Sequence, residues 1–299
     1  MIASCRVALK TSQNKTMKQS FTITSFVISL APWVLLAVPS AMAGTVSVPS
    51  PSAAAAPAGG EVDLAKQLAN PVSSLISVPF QANWDFGIGV NDASRFTLNV
   101  QPVIPLSLND DWNLIIRTIL PVIDAESPAP GIADASGLGD TVQSFFFSPK
   151  EPMNGWILAA GPVALWPTAT DSQLGSEKWG LGPTGLALKQ SGPWTYGVLA
   201  NHLWSIAGDD SRDAVNATFL QPFCSYITST KTTFTLNLES TYDWTHEQWS
   251  VPVNAVVSQL FKVGGQPMQA FVGARYYAEG PKGGPEWGIR AGLVLLFPK

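Results

Sequence analysis

The sequence predicts an all-β protein: a closed antiparallel transmembrane β-barrel of about twelve strands, preceded by a short N-terminal helix. Three observations predict it. Only 13% of the residues are charged, while 46% are hydrophobic. A soluble domain carries about a quarter charged residues, so part of this surface faces something other than water. Many segments after Ser73 alternate apolar and polar residues, the period of a strand with two unlike faces. Aromatic residues also recur ten positions apart on one face of four segments. Ten strand residues at ~3.3 Å each, tilted ~40°, rise roughly 25 Å, the height of an outer-membrane apolar band.

Residues 1–43 read as a secretory signal. Arg6, Lys10, Lys15 and Lys18 form a basic region without acidic residues, Phe21 to Val38 is apolar, and Ala41-Met42-Ala43 is a small-residue cleavage site. Met17 is a second candidate start. The alternative is a retained membrane anchor, against which Pro32 and Pro39 interrupt the apolar run. No Cys follows that run, which excludes a lipoprotein signal. Cleavage leaves 13 basic against 21 acidic residues, a net charge of −8. That balance argues against nucleic acid as a partner. Cys224 remains as the sole thiol, so no intrachain disulfide and no Cys-based metal site can form. No metal or other cofactor is expected.

The mature chain begins with an Ala/Pro/Ser linker over 44–60. A short periplasmic helix is expected over 61–71, with Val62, Leu64, Ala65 and Leu68 on one side and Pro71 ending it. It is placed at the periplasmic mouth or tucked into it. The barrel follows over 72–299, with strands near 73–90, 94–108, 112–123, 138–148, 155–166, 178–190, 193–206, 214–227, 232–244, 249–262, 267–279 and 286–297. Alternation is clean in 233–244, where Phe234, Leu236, Leu238, Tyr242 and Trp244 oppose Thr235, Asn237, Glu239 and Asp243. It is equally clean in 286–297. Segments 155–166, 178–190 and 214–227 do not alternate clearly, and their faces cannot be assigned from the sequence.

A soluble β-sandwich also alternates. Three features favour the barrel. Trp156 and Trp166, Trp194 and Trp204, Phe234 and Trp244, and Trp287 and Phe297 form the ten-residue pairs expected of two aromatic girdles. With the C-terminus in the periplasm, the inner connections are short and the long ones, near 124–137 and 167–177, fall outside. Finally, Arg290-x-Gly292-x-x-Leu295-x-Phe297 is similar to the terminal signal by which barrels are recognised for insertion, although Pro298 and Lys299 follow it. The expected partners are therefore outer-membrane lipid and the barrel-assembly machinery of a Gram-negative cell.

Parity places Arg95, Asn99, Arg117, Asn237, Glu239, Asp243, Asn254, Arg275, Glu279 and Arg290 on the inner face. Two readings stay open: a narrow polar passage with mixed charges, or a lumen closed by paired side chains. Enzyme signals are poor. His202 and His246 are the two histidines. His202 has the parity of Trp194 and Trp204, whereas the nearby Ser205 has the opposite one, so no His–Ser relay of the outer-membrane lipase kind is matched. Gly137-Leu138-Gly139 and Gly180-Leu181-Gly182 open strands and precede no helix, which argues against phosphate binding. Asp209, Asp210 and Asp213 form an acidic external loop. Phe145-Phe146-Phe147 puts aromatics on both faces of its strand, as lipid contacts with one inward ring or as part of a constriction.

Several stretches resemble a known family. They are LAKQLANPVSSLISVPFQANWDFGIG, GLGDTVQSFFFSPK, KWGLGPTGLALKQSGPWTYGVLANHLWS, NATFLQPFCSY and GGQPMQAFVGARYYAE. The chain from Leu64 to Phe297 is similar to bacterial outer-membrane transporters of the MetA-pathway of phenol degradation type, sometimes labelled neuromedin U. The resemblance implies an outer-membrane barrel that passes small molecules, aromatic ones among them. It supplies no catalytic residue. The competing expectation is a non-conducting structural or ligand-binding barrel.

Overall fold

The structure is a computed structural model and describes residues 59–298. The expected signal over 1–43, and the expected linker as far as residue 58, lie outside the described residues. Twelve antiparallel strands form one closed barrel with a single short helix among the described residues. The helix, α1, spans Gly59–Leu68. In chain order the strands are β1 (Ile76–Ile88), β2 (Ala93–Val100, resuming as Val103–Ser107), β3 (Trp112–Ala125) and β4 (Ala135–Leu138, resuming as Thr141–Pro149). They continue as β5 (Trp156–Trp166), β6 (Lys178–Ser191), β7 (Trp194–Gly208) and β8 (Asn216–Ile227). The last four are β9 (Thr232–Leu238 and Ser240–Asp243), β10 (Gln248–Ser250 and Pro252–Val263), β11 (Gln266–Tyr277) and β12 (Trp287–Phe297).

Each strand pairs with its sequence neighbour, and β12 closes on β1 in an unbroken register from Ile76↔Phe297 to Phe86↔Trp287. Closure leaves no edge strand, so every backbone group of the wall can pair inside it. β2 breaks at Gln101-Pro102, where the proline has no N–H to donate. Tight turns such as 192–193 and 264–265 join strands at the end that carries the helix and the C-terminus. Gly192, Gly264 and Gly265 there adopt the positive φ that such turns demand. The longer connections, 126–134 and 167–177 among them, lie at the other end. The first is shorter than expected because Ala135–Leu138 still pairs with the end of β3. The end with the helix and the C-terminus corresponds to the short-turn, periplasmic end of outer-membrane barrels.

The outer face is apolar and ringed by aromatics. Trp156, Trp194, Trp204, Phe234, Trp244, Trp287 and Phe297 all point outward and are exposed, and Trp166 shares their side of β5 and is half-buried. Cross-strand contacts join them into belts: Trp194 meets Tyr226 with ring centroids 4.8 Å apart, Trp166 meets Trp179 at 5.4 Å, and Tyr242, which also touches Trp244, meets Trp249 at 4.9 Å. Between the belts lie side chains such as Leu181, Val198, Leu236, Val257 and Val272, exposed and apolar. Such a surface is stable against hydrocarbon rather than water. No helix among the described residues is long and apolar enough to cross a membrane; any crossing is made by the strands.

The inner face is packed at the end that carries the helix. Leu64 and Ala65 of α1 bury themselves against inward-facing Ile227, Leu260, Val294 and Leu296. From the opposite wall Gln190 Nε2 donates to Lys66 O at 2.9 Å. The helix therefore touches strands on both sides of the lumen. It ends at Leu68; two residues on, Asn70 Oδ1 accepts the N–H of Val72 at 3.0 Å, and Pro71 prevents continuation. Beside it Ile115, Phe146 and Leu188 are fully buried. Each stabilises the fold by about 1.5–3 kcal/mol through burial alone. Phe146 is the inward ring of its triplet, and Phe145 and Phe147 take the other face.

Candidate functional site

The middle of the lumen holds a chain of ion pairs on one wall. Strand parity brings Asn83 and Asp85 of β1, Glu239 of β9, Arg275 of β11 and Arg290 of β12 to the inside. Arg290 donates from Nη1 and Nη2 to the two carboxylate oxygens of Glu239 at 2.8 and 2.7 Å, a fork-on-fork pair, and from Nε to Asn83 Oδ1 at 2.8 Å. Arg275 lies 3.9 Å from Glu239 and 3.7 Å from Asp85. Asp85 also sits 3.9 Å from Arg95 and accepts the hydroxyl of Tyr277 at 3.0 Å. Next to this chain Asn254 Nδ2 donates to Asn237 Oδ1 at 2.9 Å, directly across the β9–β10 register. Arg117, on β3, donates to Gln101 Oε1 at 3.0 Å.

Two cavities meet at Arg117 and Gln101. The larger, about 390 Å³, is lined by Asn99, Arg117, Asn237, Glu239 and Arg290 and by Leu199, Leu203 and Phe219, with Asn201 and Gln221 beside the latter. The smaller, about 180 Å³, lies between α1 and the wall, lined by Gln67, Asn70, Gln101, Arg117, Gln269 and Val294. The helix thus covers the polar chamber from the end that carries the C-terminus.

Nine of the ten arginine, carboxylate and amide side chains expected inside lie on strands with the inward parity: Arg95, Asn99, Arg117, Asn237, Glu239, Asp243, Asn254, Arg275 and Arg290. Glu279 is the departure. β11 ends at Tyr277, so alternation no longer sets its direction, and Glu279 is exposed in the following loop. Asp243 stands at the outer rim, apart from the chain of ion pairs. Its carboxylate accepts the backbone N–H of Thr245 at 2.9 Å and contacts His246 Nδ1 at 2.7 Å. Sequence reasoning missed Asn83, Asp85, Gln101 and Tyr277. For the first two the signal was present: Gln81, Asn83 and Asp85 alternate with Ala82, Trp84 and Phe86.

At the outer rim His246 lies between two carboxylates, with Nε2 3.3 Å from Asp213. The hydrogen bond to Asp243, then its charge, then the bond to Asp213 raise the His246 pKa above the usual imidazole value. Arg212 donates to Ser172 O and Gly175 O at 2.7 Å each and pairs with Glu177 at 3.5 Å. Asp140 accepts from Ser176 N at 2.6 Å. The 167–177 loop is thereby tied to the strands beneath it.

On the outer face His202 Nδ1 contacts Thr218 Oγ1 at 2.7 Å, which also accepts Trp244 Nε1–H at 2.9 Å. His202 Nε2 has no hydrogen-bond partner among the described residues. A nucleophile–base pair needs a third group to orient the base, and no described residue is hydrogen-bonded to Nε2. Ser205 points inward instead, its Oγ accepting Val215 N at 3.1 Å. Among the described residues no cluster of His, Cys, Asp or Glu can hold a metal ion.

Fold and lumen together define an outer-membrane-type β-barrel with a charged interior. No family model matches the chain, and no curated protein matches its sequence. Among solved structures it is similar to the COG4313 outer membrane channel from Pseudomonas putida F1, at 17% identity and a TM-score of 0.59, over 75% of this chain and 94% of that one. It also matches outer membrane phospholipase A from Escherichia coli, at 9% identity and a TM-score of 0.47, over 73% of this chain and 95% of that one. The β domain of the Bordetella autotransporter BrkA matches at 13% identity and a TM-score of 0.42, over 73% and 98%. The first of these likenesses shows the fold.

Proposed function

We propose that the protein is a passive outer-membrane channel for small molecules. The observation that carries this reading is the polar chamber at mid-height, bounded by Arg117, Glu239 and Arg290 inside a wall whose outer face is apolar. Charged side chains within a membrane are costly, and where they occur they mark a pathway. The similar Pseudomonas putida protein is described as a channel, which supports the same reading. The family resembled in sequence adds aromatic compounds to the permeants to be tried. The signal at 1–43, the aromatic girdles and the C-terminal pattern support delivery to the outer membrane, with its lipid and the assembly machinery as partners.

One observation favours a second reading, a barrel that binds without conducting. The helix α1 and the buried cluster around Phe146 fill the periplasmic end. Refolded mature protein in a planar bilayer decides between the two. Stepwise openings above background are expected, and their absence over a range of voltages selects the non-conducting barrel.

A further inference from the structure

Four guanidinium groups face the interior chain of charges, those of Arg95, Arg117, Arg275 and Arg290, and two carboxylates answer them, Asp85 and Glu239. The allocation is uneven. All three donor nitrogens of Arg290 are engaged by Glu239 and Asn83. Asp85 is shared among Arg95, Arg275 and Tyr277. The Nε of Arg275, whose side chain is nine-tenths buried, has no hydrogen-bond acceptor among the described residues. Arg117 donates to a neutral amide and forms no ion pair among the described residues. An uncompensated guanidinium in a low-dielectric site attracts an anion strongly, and its planar fork matches a carboxylate.

Arg117 also lines the 390 Å³ cavity, which Phe219, Leu199, Leu203 and Val142 line as well, with the neutral polar Asn201 and Gln221 among them. That volume is within the usual range for small-molecule sites, which combine apolar walls with a few placed polar groups. A purely hydrophilic ion would leave these apolar side chains bare, and a neutral hydrocarbon would leave Arg117 with the neutral Gln101 as its hydrogen-bond acceptor. We propose that this cavity binds a small organic monoanion, its carboxylate on Arg117 and its apolar body against Phe219 and Leu199. The proposal rests on the channel reading for how the ligand arrives, and it names the substrate class of that same chamber.

Isothermal titration of refolded mature protein in detergent with benzoate, benzyl alcohol, benzylamine and acetate tests it. Benzoate binds at least about tenfold more tightly than benzyl alcohol or acetate, and benzylamine does not compete. Arg117→Gln lowers benzoate affinity by about tenfold or more and leaves benzyl alcohol unchanged, whereas Arg117→Lys retains part of the benzoate preference. Heat-modifiable gel migration verifies that each variant is folded. If Arg117→Gln does not fold, the wild-type comparison of benzoate with its neutral and truncated analogues still decides. Equal affinity for benzoate and benzyl alcohol, no benzoate binding, or full benzoate affinity in folded Arg117→Gln overturns the proposal. Bilayer recordings on the same sample separate the two readings. Openings without benzoate binding overturn the anion site alone, and benzoate binding without openings overturns the channel alone.

Discussion

The wall formed by β9 to β12 with β1 and β2, and the wall formed by β4 to β7, share one backbone plan but differ in what they turn inward. The first alternates apolar outside and polar inside, and its inner face carries the chain Asp85, Arg275, Glu239 and Arg290. The second turns no charged side chain into the chamber: Ala159, Val163 and Leu165 of β5 and Leu186 and Leu188 of β6 point inward and are buried, with the neutral Ser144, Thr184 and Thr195 among them. Charge holds the first wall together at mid-height, and side-chain packing holds the second. The ladder differs too. On the apolar wall Pro162 faces Pro183 across β5–β6. Neither can donate an N–H, and pairing is interrupted on their far sides, between Ser144↔Val163 and Phe147↔Ala160 and between Leu181↔Trp204 and Thr184↔Asn201. Gly161 and Gly182 sit beside these gaps, where a Cβ would collide with Phe145 O and His202 O. A chamber with charge on one side and none on the other follows from this difference.

The largest expected effect comes from breaking the charged wall. Glu239→Leu leaves the Arg290 and Arg275 guanidiniums without their shared carboxylate and costs about 3–5 kcal/mol, read as a lower urea midpoint by tryptophan fluorescence in lipid vesicles. The double substitution Glu239→Leu with Arg290→Leu recovers most of that loss, because it replaces the pair instead of stranding one charge. On the apolar wall Leu188→Ala costs about 3 kcal/mol through a cavity, and no second substitution at a charged residue offsets it. Equal rescue on both walls would erase the distinction between them. Deleting residues 59–68 acts on what the walls enclose: single-channel conductance rises several-fold with little change in the unfolding midpoint.

The smallest effect lies at the rim. A His246 held protonated by Asp243 and Asp213 stabilises the contact between two external loops. Because its pKa is raised by folding, that contribution is complete below the ordinary value of about 6.5 and is lost as pH climbs through the raised one. Amide exchange of residues 244–247 therefore speeds up above neutral pH in the wild type, beyond the intrinsic rise with pH. In His246→Gln that extra step is absent.

The legibility of the sequence followed the same division. Where the two faces differ in polarity, as in 233–244, alternation alone located Asn237 and Glu239. Where both faces are apolar, as in 155–166 and 178–190, period-two reasoning has no contrast to work with, and the faces appear only in the folded wall. Glu279 shows the limit of parity: it fails two residues beyond the end of β11. Asp85 was readable between Trp84 and Phe86. Its partner Arg275 lies far along the chain, and sequence alone could not say that closure of the barrel brings them together. The position of α1 inside the lumen likewise depends on long-range packing of Leu64 and Ala65.

The central claim is that mid-lumen charge, with four guanidiniums against two carboxylates, governs what passes. The reversal potential of single channels under a potassium chloride gradient measures it most directly. The account predicts selectivity for anions that weakens in Arg117→Gln. A cation-selective channel, or one whose reversal potential ignores Arg117, would contradict it.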